Sequence, residues 1–254
     1  MAWARLLCAR HTGVGADGLL LILPPLSAPA LAYLRMFNPD GTEDMCANGL
    51  HCVGAHLMGP GPSECLIETR HGRLPVRRLA SGRIECRLPP ARFEAEALPA
   101  RVGSARVWDT PLEVGDERVR LYGASTGTPH VVVFTDAPID DARFYRLGPA
   151  LECHPAFPER TTVTFACVRS PESVETRIWE RGAGETLACG TGACAVVAIT
   201  NALGRTGRTV AIASPGGVVH VTIEADADLR LSGEAHVVFH LDAWTGMPWS
   251  ADGP

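Results

Sequence analysis

Two cysteines, set in two similar sequence motifs, are the residues with the clearest capacity for chemistry. Cys189 follows an acidic, glycine-rich segment and precedes an apolar run, within residues 180–195 (ERGAGETLACGTGACA). Cys46 holds the matching place in a looser copy, residues 43–52 (EDMCANGLHC). Both copies run glutamate, spacer, cysteine, glycine-containing turn, second cysteine and apolar segment. This order predicts a cysteine at the N-terminus of a helix in each of two related halves.

A pair of thiols suits inversion of configuration at an acidic carbon, because one can remove a proton from one face while the other returns a proton to the opposite face. A helix N-terminus lowers the pKa of a cysteine and also offers unpaired N–H groups and a positive dipole. Two such ends converging on an α-carboxylate would bind it and stabilise the charge that develops. We therefore predict that Cys46 and Cys189 are catalytic. The residues predicted to bring the backbone close to the substrate are Asn48, Gly49, Gly190, Thr191 and Gly192.

Composition excludes several other routes to this chemistry. The 23 basic residues are all arginine, and a chain without lysine can form neither a pyridoxal-phosphate Schiff base nor a Walker A loop. A net charge of −5 does not indicate the basic surface that binds nucleic acid. The cysteines form no CxxC pair, which argues against a zinc ribbon or a thioredoxin site. We expect no cofactor, no metal and no nucleic-acid partner.

The sequence also predicts a cytoplasmic protein without a membrane partner. The first residues, MAWARLLCARHTG, lack the apolar core of a signal peptide, and the longest apolar run, 19–34, is interrupted by three prolines. Nine scattered cysteines are most simply read as free thiols in a reducing compartment. Apart from the two catalytic candidates, they are predicted to be small buried packing residues, namely Cys8, Cys52, Cys65, Cys86, Cys153, Cys167 and Cys194.

Strand-like segments dominate the remaining sequence and predict an α+β fold. Helices are expected at 49–57, 141–151 and 193–203. Strands are expected at 18–23, 32–36, 84–88, 119–123, 130–134, 161–168, 176–180, 209–213, 218–223 and 237–241. Many strands with few helices suit sheets wrapped around a central helix in each half. We place the halves at 1–108, which carries Cys46, and 109–235, which carries Cys189, with 236–254 returning to the first half and its end frayed.

Five segments in order along the chain resemble the diaminopimelate epimerase family, whose members are cofactor-independent, two-cysteine amino-acid epimerases. They are ARHTGVGADGLLLI, MFNPDGTEDMCANG, TGTPHVVVF, PERTTVTF and ERGAGETLACGTGACA. The resemblance implies two pseudo-symmetric halves, each a mixed or antiparallel sheet around a central helix, with the site in the cleft. It implies epimerisation of LL-diaminopimelate to the meso form, a step in lysine and peptidoglycan biosynthesis. It further implies a small amino-acid substrate and a homodimer.

The resemblance also implies roles for individual residues. Cys46 and Cys189 would be the opposed acid and base. Glu180 and Arg181 would engage the distal amino and carboxylate groups of the substrate, and His130 would support the site. The other residues implied in substrate binding are Asn38, Asn48, Gly49, Thr162, Gly190 and Thr191.

Several positions depart from the family pattern. The first family strand, which carries a substrate-binding asparagine, has no counterpart here, so we expect that strand to be missing. Ala47 replaces a glycine beside the carboxylate cradle, and His51 stands where an arginine is usual. Thr128 and Thr162 replace asparagines that would contact a second amino-acid head group. Two alternatives therefore stay open: a related racemase for another amino acid, such as histidine, and a non-catalytic truncated homologue.

Overall fold

Strands make up most of the chain in the computed structural model, which describes residues 2–241. The helices are α1 (Ala2–Cys8), α2 (Ala47–Leu57), α3 (Asp141–Glu152) and α4 (Gly190–Ala202), with a short 3₁₀ helix at Ala95–Ala97. The strands are β1 (Leu19–Leu23), β2 (Ala32–Phe37), β3 (Glu43–Asp44), β4 (Ser63–Thr69), β5 (Gly72–Arg78), β6 (Ile84–Leu88), β7 (Thr110–Val114), β8 (Glu117–Ser125), β9 (Pro129–Phe134), β10 (Thr162–Ser170), β11 (Ser173–Glu180), β12 (Gly184–Thr186), β13 (Thr209–Ser214), β14 (Gly217–Ile223) and β15 (Leu229–Gly233).

Strand pairing repeats the same pattern in two parts of the chain. In the first part, β1 pairs antiparallel with β2, β2 parallel with β4, β4 antiparallel with β5 and β5 antiparallel with β6. In the second part, the series β10, β11, β13, β14 and β15 shows the same order of directions. A short strand, β3 or β12, pairs with the second strand of each series and leads into α2 or α4. The predicted α+β fold of two pseudo-symmetric halves is confirmed.

The two series meet where β6 pairs antiparallel with β15. The second series is extended by β9, which pairs parallel with β10, and then by β8 and β7. Among residues 2–241, β1 has β2 as its only strand partner and is an edge of the sheet. The boundary predicted at 108/109 falls between the 3₁₀ helix and β7 and stays a prediction.

The helices that carry the two cysteine motifs lie inside this sheet system, as the prediction of a central helix in each half requires. Residues 190–200 of α4 are all buried, and α2 buries one side against β5, β6 and β15. Both helices contribute to one apolar core, whereas α3 packs in a second core around Phe144 and Phe165. None of the helices in the described part of the chain is long and apolar enough to span a bilayer.

The sequence located most elements but missed several and misplaced one. All three predicted helices form, with α2 beginning at Ala47 and α4 at Gly190. The strand predicted at 237–241 is wrong, since residues 234–241 have no regular structure. Of residues 236–254, which were predicted to return to the first half, 242–254 lie outside the described residues. The elements that the sequence did not predict are α1, β3, β4, β5, β7, β12 and β15.

The nine cysteines are free thiols, and their burial corrects part of the prediction. Cys8, Cys86, Cys167 and Cys194 are buried as expected, and Cys65 is half-buried. Cys52 and Cys153 are exposed, so their assignment as buried packing residues is wrong. Cys52 lies on the solvent side of the amphipathic helix α2, and Cys153 is the C-cap of α3, where the chain turns at the surface.

Candidate active site

Each of the two cysteines is the N-cap of its helix, in extended backbone conformation. The Gly49 N–H donates to the sulfur of Cys46 at 3.2 Å, and the Gly192 N–H donates to the sulfur of Cys189 at 3.4 Å. Each sulfur therefore takes the place of the serine or aspartate oxygen that normally caps a helix and satisfies one unpaired N–H group. The local sequence fixes this geometry, because glycine three residues later lets the backbone approach the sulfur.

The N-termini of α2 and α4 face one another at close range. The Asn48 side-chain N–H donates to the carbonyl of Ala188 at 3.1 Å, which links the start of one helix to the residue before the other. A Cβ atom at Gly190 would lie only 2.7 Å from Asn48 Oδ1 and 3.0 Å from the Cβ of Ala47. The two helix dipoles thus direct their positive ends to one place.

A cavity of about 20 Å³ lies at this place and has room for about one water molecule. We call it the inner cavity. It is lined by Met36, Asn38, Asp44, Met45, Cys46, Ala47, Thr128, Thr162, Glu180, Arg181, Cys189, Gly190 and Thr191. An amino acid does not fit in this volume, so entry of a substrate requires the walls to move apart.

Burial and a shared carboxylate hold both thiols protonated in the free protein. Burial raises the pKa of Cys46 to about 12, and the charge of Glu180 adds to this rise. Burial and then Glu180 also raise the pKa of Cys189 well above its ordinary value. The pKa of Glu180 itself is raised, mainly by burial. Because every ionised group here raises the proton affinity of the others, the site disfavours two ionised thiols at once.

A chain of hydroxyl groups connects the buried His130 to the sulfur of Cys189. The imidazole Nε2 lies 2.8 Å from Thr128 Oγ1, which donates to Thr191 Oγ1 at 3.4 Å. Thr191 Oγ1 in turn lies 3.4 Å from the sulfur of Cys189. Burial, followed by the charge of Arg181, lowers the pKa of His130 to about 3, so the imidazole is neutral. With Nε2–H donating, every hydroxyl proton in the chain points toward Cys189 and stabilises its thiolate.

An ion pair between Asp44 and Arg181 also lines the inner cavity. The Arg181 Nε–H donates to Asp44 Oδ2 at 3.1 Å, and its Nη2–H donates to the same oxygen. The backbone N–H of Arg181 donates to Thr162 Oγ1 at 3.1 Å, and the Asn38 side-chain N–H donates to the Arg181 carbonyl at 3.4 Å. Arginine is thereby held at the cavity with its fork directed at an anion.

Most of the residues predicted for the site come together. The inner cavity gathers Asn38, Cys46, Thr162, Glu180, Arg181, Cys189, Gly190 and Thr191, and also Ala47 and Thr128. Four predicted residues do not line it. Asn48, Gly49 and Gly192 are used in the contacts between and within the helix ends, and His130 lies behind Thr128.

Sequence reasoning missed Asp44, Met36 and Met45 as cavity residues. Asp44 stood inside the quoted motif, and its place two residues before Cys46 was the available signal.

In the described part of the chain, no group of three or more histidine, cysteine, aspartate or glutamate side chains could hold a metal ion.

The free energy of unfolding is expected to fall as the pH rises above about 9, because an unfolded thiol titrates near this pH. Burial raises the pKa of Cys46, Cys86, Cys189 and Cys194 in the folded chain. Above pH 9 the unfolded chain therefore holds fewer protons than the folded chain. Stability is fully present below this pH and is lost as the pH rises toward the folded pKa values, by up to about 1.4 kcal/mol per pH unit for each thiol.

Urea unfolding at pH 7.5 and pH 10.5 measures this loss. The double variant Cys46→Ser/Cys189→Ser should show a shallower decline, whereas Cys153→Ser, at an exposed position, should decline like the unchanged protein. Equal stability at the two pH values would contradict the buried, protonated state of the thiols.

The solved structures similar to this one include an epimerase and a probable racemase of amino acids. A hydroxyproline epimerase from Agrobacterium vitis has a TM-score of 0.70 and 19% identity, covering 90% of this chain and 76% of its own. A probable proline racemase from Agrobacterium radiobacter has a TM-score of 0.75 and 18% identity, covering 99% of this chain and 83% of its own. The chain therefore shares the fold of these structures.

Sequence comparison is more specific. The family described as Diaminopimelate epimerase matches residues 122–238. A diaminopimelate epimerase of Desulforudis audaxviator is 43% identical over 248 residues, covering 94% of this chain and 87% of its own. One from Pelotomaculum thermopropionicum is 40% identical over 241 residues, covering 92% of this chain and 85% of its own. The chain belongs to the diaminopimelate epimerase family and is an isomerase, as its two cysteine motifs predicted.

Proposed function

We propose that this protein converts LL-diaminopimelate to meso-diaminopimelate by a cofactor-independent mechanism that uses two thiols. The observation that carries the proposal is the inner cavity itself, which brings together two helix N-termini, each capped by a cysteine sulfur. The substrate is proposed from the relatives that are 36–43% identical, which are named diaminopimelate epimerases.

The proposed reaction moves one proton onto the protein and one off it. The thiolate of one cysteine removes the α-proton, and the electron pair of the C–H bond passes into the α-carboxylate. The thiol of the other cysteine then donates its proton to the opposite face, so the product has inverted configuration and the two cysteines have exchanged states. Backbone N–H groups at the starts of α2 and α4 stabilise the doubly charged, enolate-like carboxylate.

The protonation behaviour of the site supports one thiolate at a time. Glu180 raises the pKa of both Cys46 and Cys189, whereas the Thr191 hydroxyl and the Gly192 N–H lower the pKa of Cys189. The Gly49 and Asn48 N–H groups lower the pKa of Cys46 in the same way, and a hydrogen bond to Glu180 raises the pKa of Cys189 further, so these contacts do not single out either thiol as the base.

The distal end of the substrate is proposed to reach Arg181, whose guanidinium would bind the second carboxylate in bidentate form. One observation favours the alternative of a racemase for another amino acid. Thr128 and Thr162 place hydroxyl groups, rather than the amides usual in the family, at the inner cavity, and both are already hydrogen-bonded. The role in lysine and peptidoglycan biosynthesis and the homodimer follow from the resemblance and stay predictions.

Loss of the α-proton signal in D₂O, followed by proton NMR under reducing conditions, tests the proposal. LL- and meso-diaminopimelate are expected to exchange, and each should generate the other epimer. Histidine, ornithine, lysine and proline serve as comparisons. Exchange confined to one of these amino acids would replace the proposed substrate, and exchange with none of the compounds would reject catalysis.

A further inference from the structure

Two loops, one from each half, meet beside the inner cavity. The first, residues 38–42, joins β2 to β3, and the second, residues 181–183, joins β11 to β12, so the two hold equivalent places in the repeated strand pattern. Each leads toward one of the two helices that a cysteine caps. A Cβ atom at Gly182 would lie 2.6 Å from Asp40 Oδ2, so the loops come into contact where the second loop has no side chain.

Arg160 joins the two loops through a pair of carboxylates. Its Nη2–H donates to Asp40 Oδ2, in the first loop, at 2.9 Å, and its Nη1–H donates to Glu152 Oε1 at 3.2 Å. The same Glu152 oxygen accepts from the backbone N–H of Gly182, in the second loop, at 2.9 Å. The planar fork of the guanidinium lets one residue bind both carboxylates at once. We call Asp40, Arg160 and Glu152 the clasp.

The two carboxylates of the clasp are fixed by further hydrogen bonds. The Thr42 N–H donates to Asp40 Oδ1 at 2.9 Å, and the Asn38 N–H donates to the Thr42 carbonyl at 2.8 Å, which closes the first loop on itself. The Trp179 indole N–H donates to Glu152 Oε2 at 2.7 Å. Only 10% of the Glu152 side chain is exposed, and a buried carboxylate needs such donors because an unpaired buried charge is strongly destabilising.

The backbone of Arg160 has an unfavourable conformation. Its φ is +59°, in the left-handed region that residues with a side chain rarely adopt. Such a conformation persists where surrounding contacts hold it, and it is concentrated at places where one geometry is required. Arg160 also lines a cleft of about 440 Å³, whose lining shares Asp44 and Arg181 with the inner cavity. The clasp therefore lies between the inner cavity and a wider, more open space.

We propose that Arg160 is a positioning residue that holds the two loops together and thereby keeps the inner cavity closed. The loops carry Asn38 and Arg181, and both of these residues line the cavity. Because a cavity of about 20 Å³ admits no amino acid, its walls must separate for entry, and separation of the loops breaks the ion pair between Arg160 and Asp40. The inference rests on the proposed function, which makes the inner cavity the place of proton transfer.

Alkylation of Cys189 in the free, reduced protein measures how often the inner cavity opens. Iodoacetamide is too large for the closed cavity, so it reaches this buried thiol only through an open state. Arg160→Gly is expected to raise the alkylation rate of Cys189 by about 10-fold, because charge-assisted hydrogen bonds between the loops are lost. Mass spectrometry of the digested protein assigns the rate to individual cysteines.

The same variant distinguishes the clasp from a general contribution to stability. Glycine adopts a φ of +59° more readily than arginine does, so Arg160→Gly should at least maintain the free energy of unfolding measured in urea. Cys86, which is fully buried in the apolar core, should react as slowly as in the unchanged protein, and the exposed Cys52 should react as fast. A rate at Cys86 that rises by the same factor as the rate at Cys189 would overturn the proposal, since it would indicate global unfolding.

Arg87→Gln is the matched control. Arg87 also bridges two carboxylates, Asp226 and Asp228, and its side chain is 43% exposed compared with 36% for Arg160. It lines neither the inner cavity nor the wider cleft. The control variant should therefore leave the alkylation rate of Cys189 within about twofold of the unchanged protein. A larger rise in this variant would overturn the assignment of the effect to the clasp.

Asp40→Asn should reproduce the effect of Arg160→Gly, because Thr42 keeps its acceptor while the charge that pairs with the guanidinium is lost. The double variant Asp40→Asn/Arg160→Gly should react no faster than either single variant, since both changes remove the same contact. Additive effects, or an unchanged rate in Arg160→Gly, would overturn the proposal. The alkylation uses no substrate, so failure of α-proton exchange would reject the proposed function while a selective rise at Cys189 would still support the role of Arg160.

Discussion

Cys189→Ser is expected to abolish epimerisation, with a loss of at least about 10³-fold in kcat/KM, because a serine hydroxyl has no accessible anionic form to act as base near neutral pH. Cys46→Ser is expected to do the same. The measurement is the formation of the second epimer from LL- or meso-diaminopimelate, followed by separation of the stereoisomers. Circular dichroism and thermal unfolding should show an intact fold, since the oxygen can still accept the N–H group at each helix start.

The two variants should also differ in a way that a one-base mechanism does not predict. Each retains one thiol, which can still remove and return a proton on its own face. Hydrogen exchange in D₂O is therefore expected to survive, if at all, with one epimer in Cys189→Ser and with the opposite epimer in Cys46→Ser. Cys52→Ser, at an exposed position on α2, should match the unchanged protein. Retention of more than about a tenth of the turnover by Cys189→Ser would reject the two-thiol mechanism.

The cysteine motifs could be predicted from the sequence because their geometry is local. In each motif the capped N–H belongs to a glycine three residues after the cysteine, and an apolar helix follows. Nothing outside a dozen residues is needed to place the sulfur at a helix end. The convergence of the two helix ends was inferred from their similarity, and the repeated strand pairing of the two halves supplies its structural cause.

The missed strands have a physical explanation. β4 and β5 hold few β-branched residues, and Pro75 lies within β5, where a proline argues against a strand. Their pairing across the sheet stabilises them in spite of their composition. At 237–241 the sequence predicted a strand that does not form among the described residues. The segment is apolar and β-branched, but a high strand propensity does not by itself provide a neighbouring strand to pair with.

Long-range side-chain contacts explain what the sequence could not show at the site. Asp44 and Arg181 are separated by 137 residues, and only the folded chain reveals that they share a wall of the inner cavity. The same holds for the chain from His130 through Thr128 to Thr191, which depends on the relative placement of β9 and α4. In the sequence, the threonine at position 128 indicated only the loss of an amide contact to the substrate. The structure shows that the Thr128 hydroxyl is itself hydrogen-bonded, to His130 and to Thr191.

Gly190→Ala is expected to lower kcat/KM by about 10²-fold and to reduce stability by about 1–3 kcal/mol through overpacking between α2 and α4. A decrease in stability would be informative, because alanine is the better helix former by about 1 kcal/mol and would otherwise stabilise the first turn of α4. The new Cβ would lie 2.7 Å from Asn48 Oδ1, 2.8 Å from Leu231 Cδ2 and 3.0 Å from the Cβ of Ala47. The leucine can rotate away, but Asn48 is held by its bond to Ala188, so the helix ends must separate.

Kinetics and urea unfolding of Gly190→Ala, alone and with Ala47→Gly, measure this separation. Removing the Ala47 methyl group should restore part of the activity, because it relieves one of the close contacts at the approach of the two helices. Gly59→Ala is the matched control, since a Cβ there meets nothing within 4 Å, and it should leave activity unchanged. Full activity in Gly190→Ala would show that the two thiols tolerate a displacement of their helices, which contradicts a mechanism that needs both on one α-carbon. Partial rescue by Ala47→Gly would instead tie catalysis to the spacing of the two helix ends, and would explain why the second motif keeps a glycine where the first carries alanine.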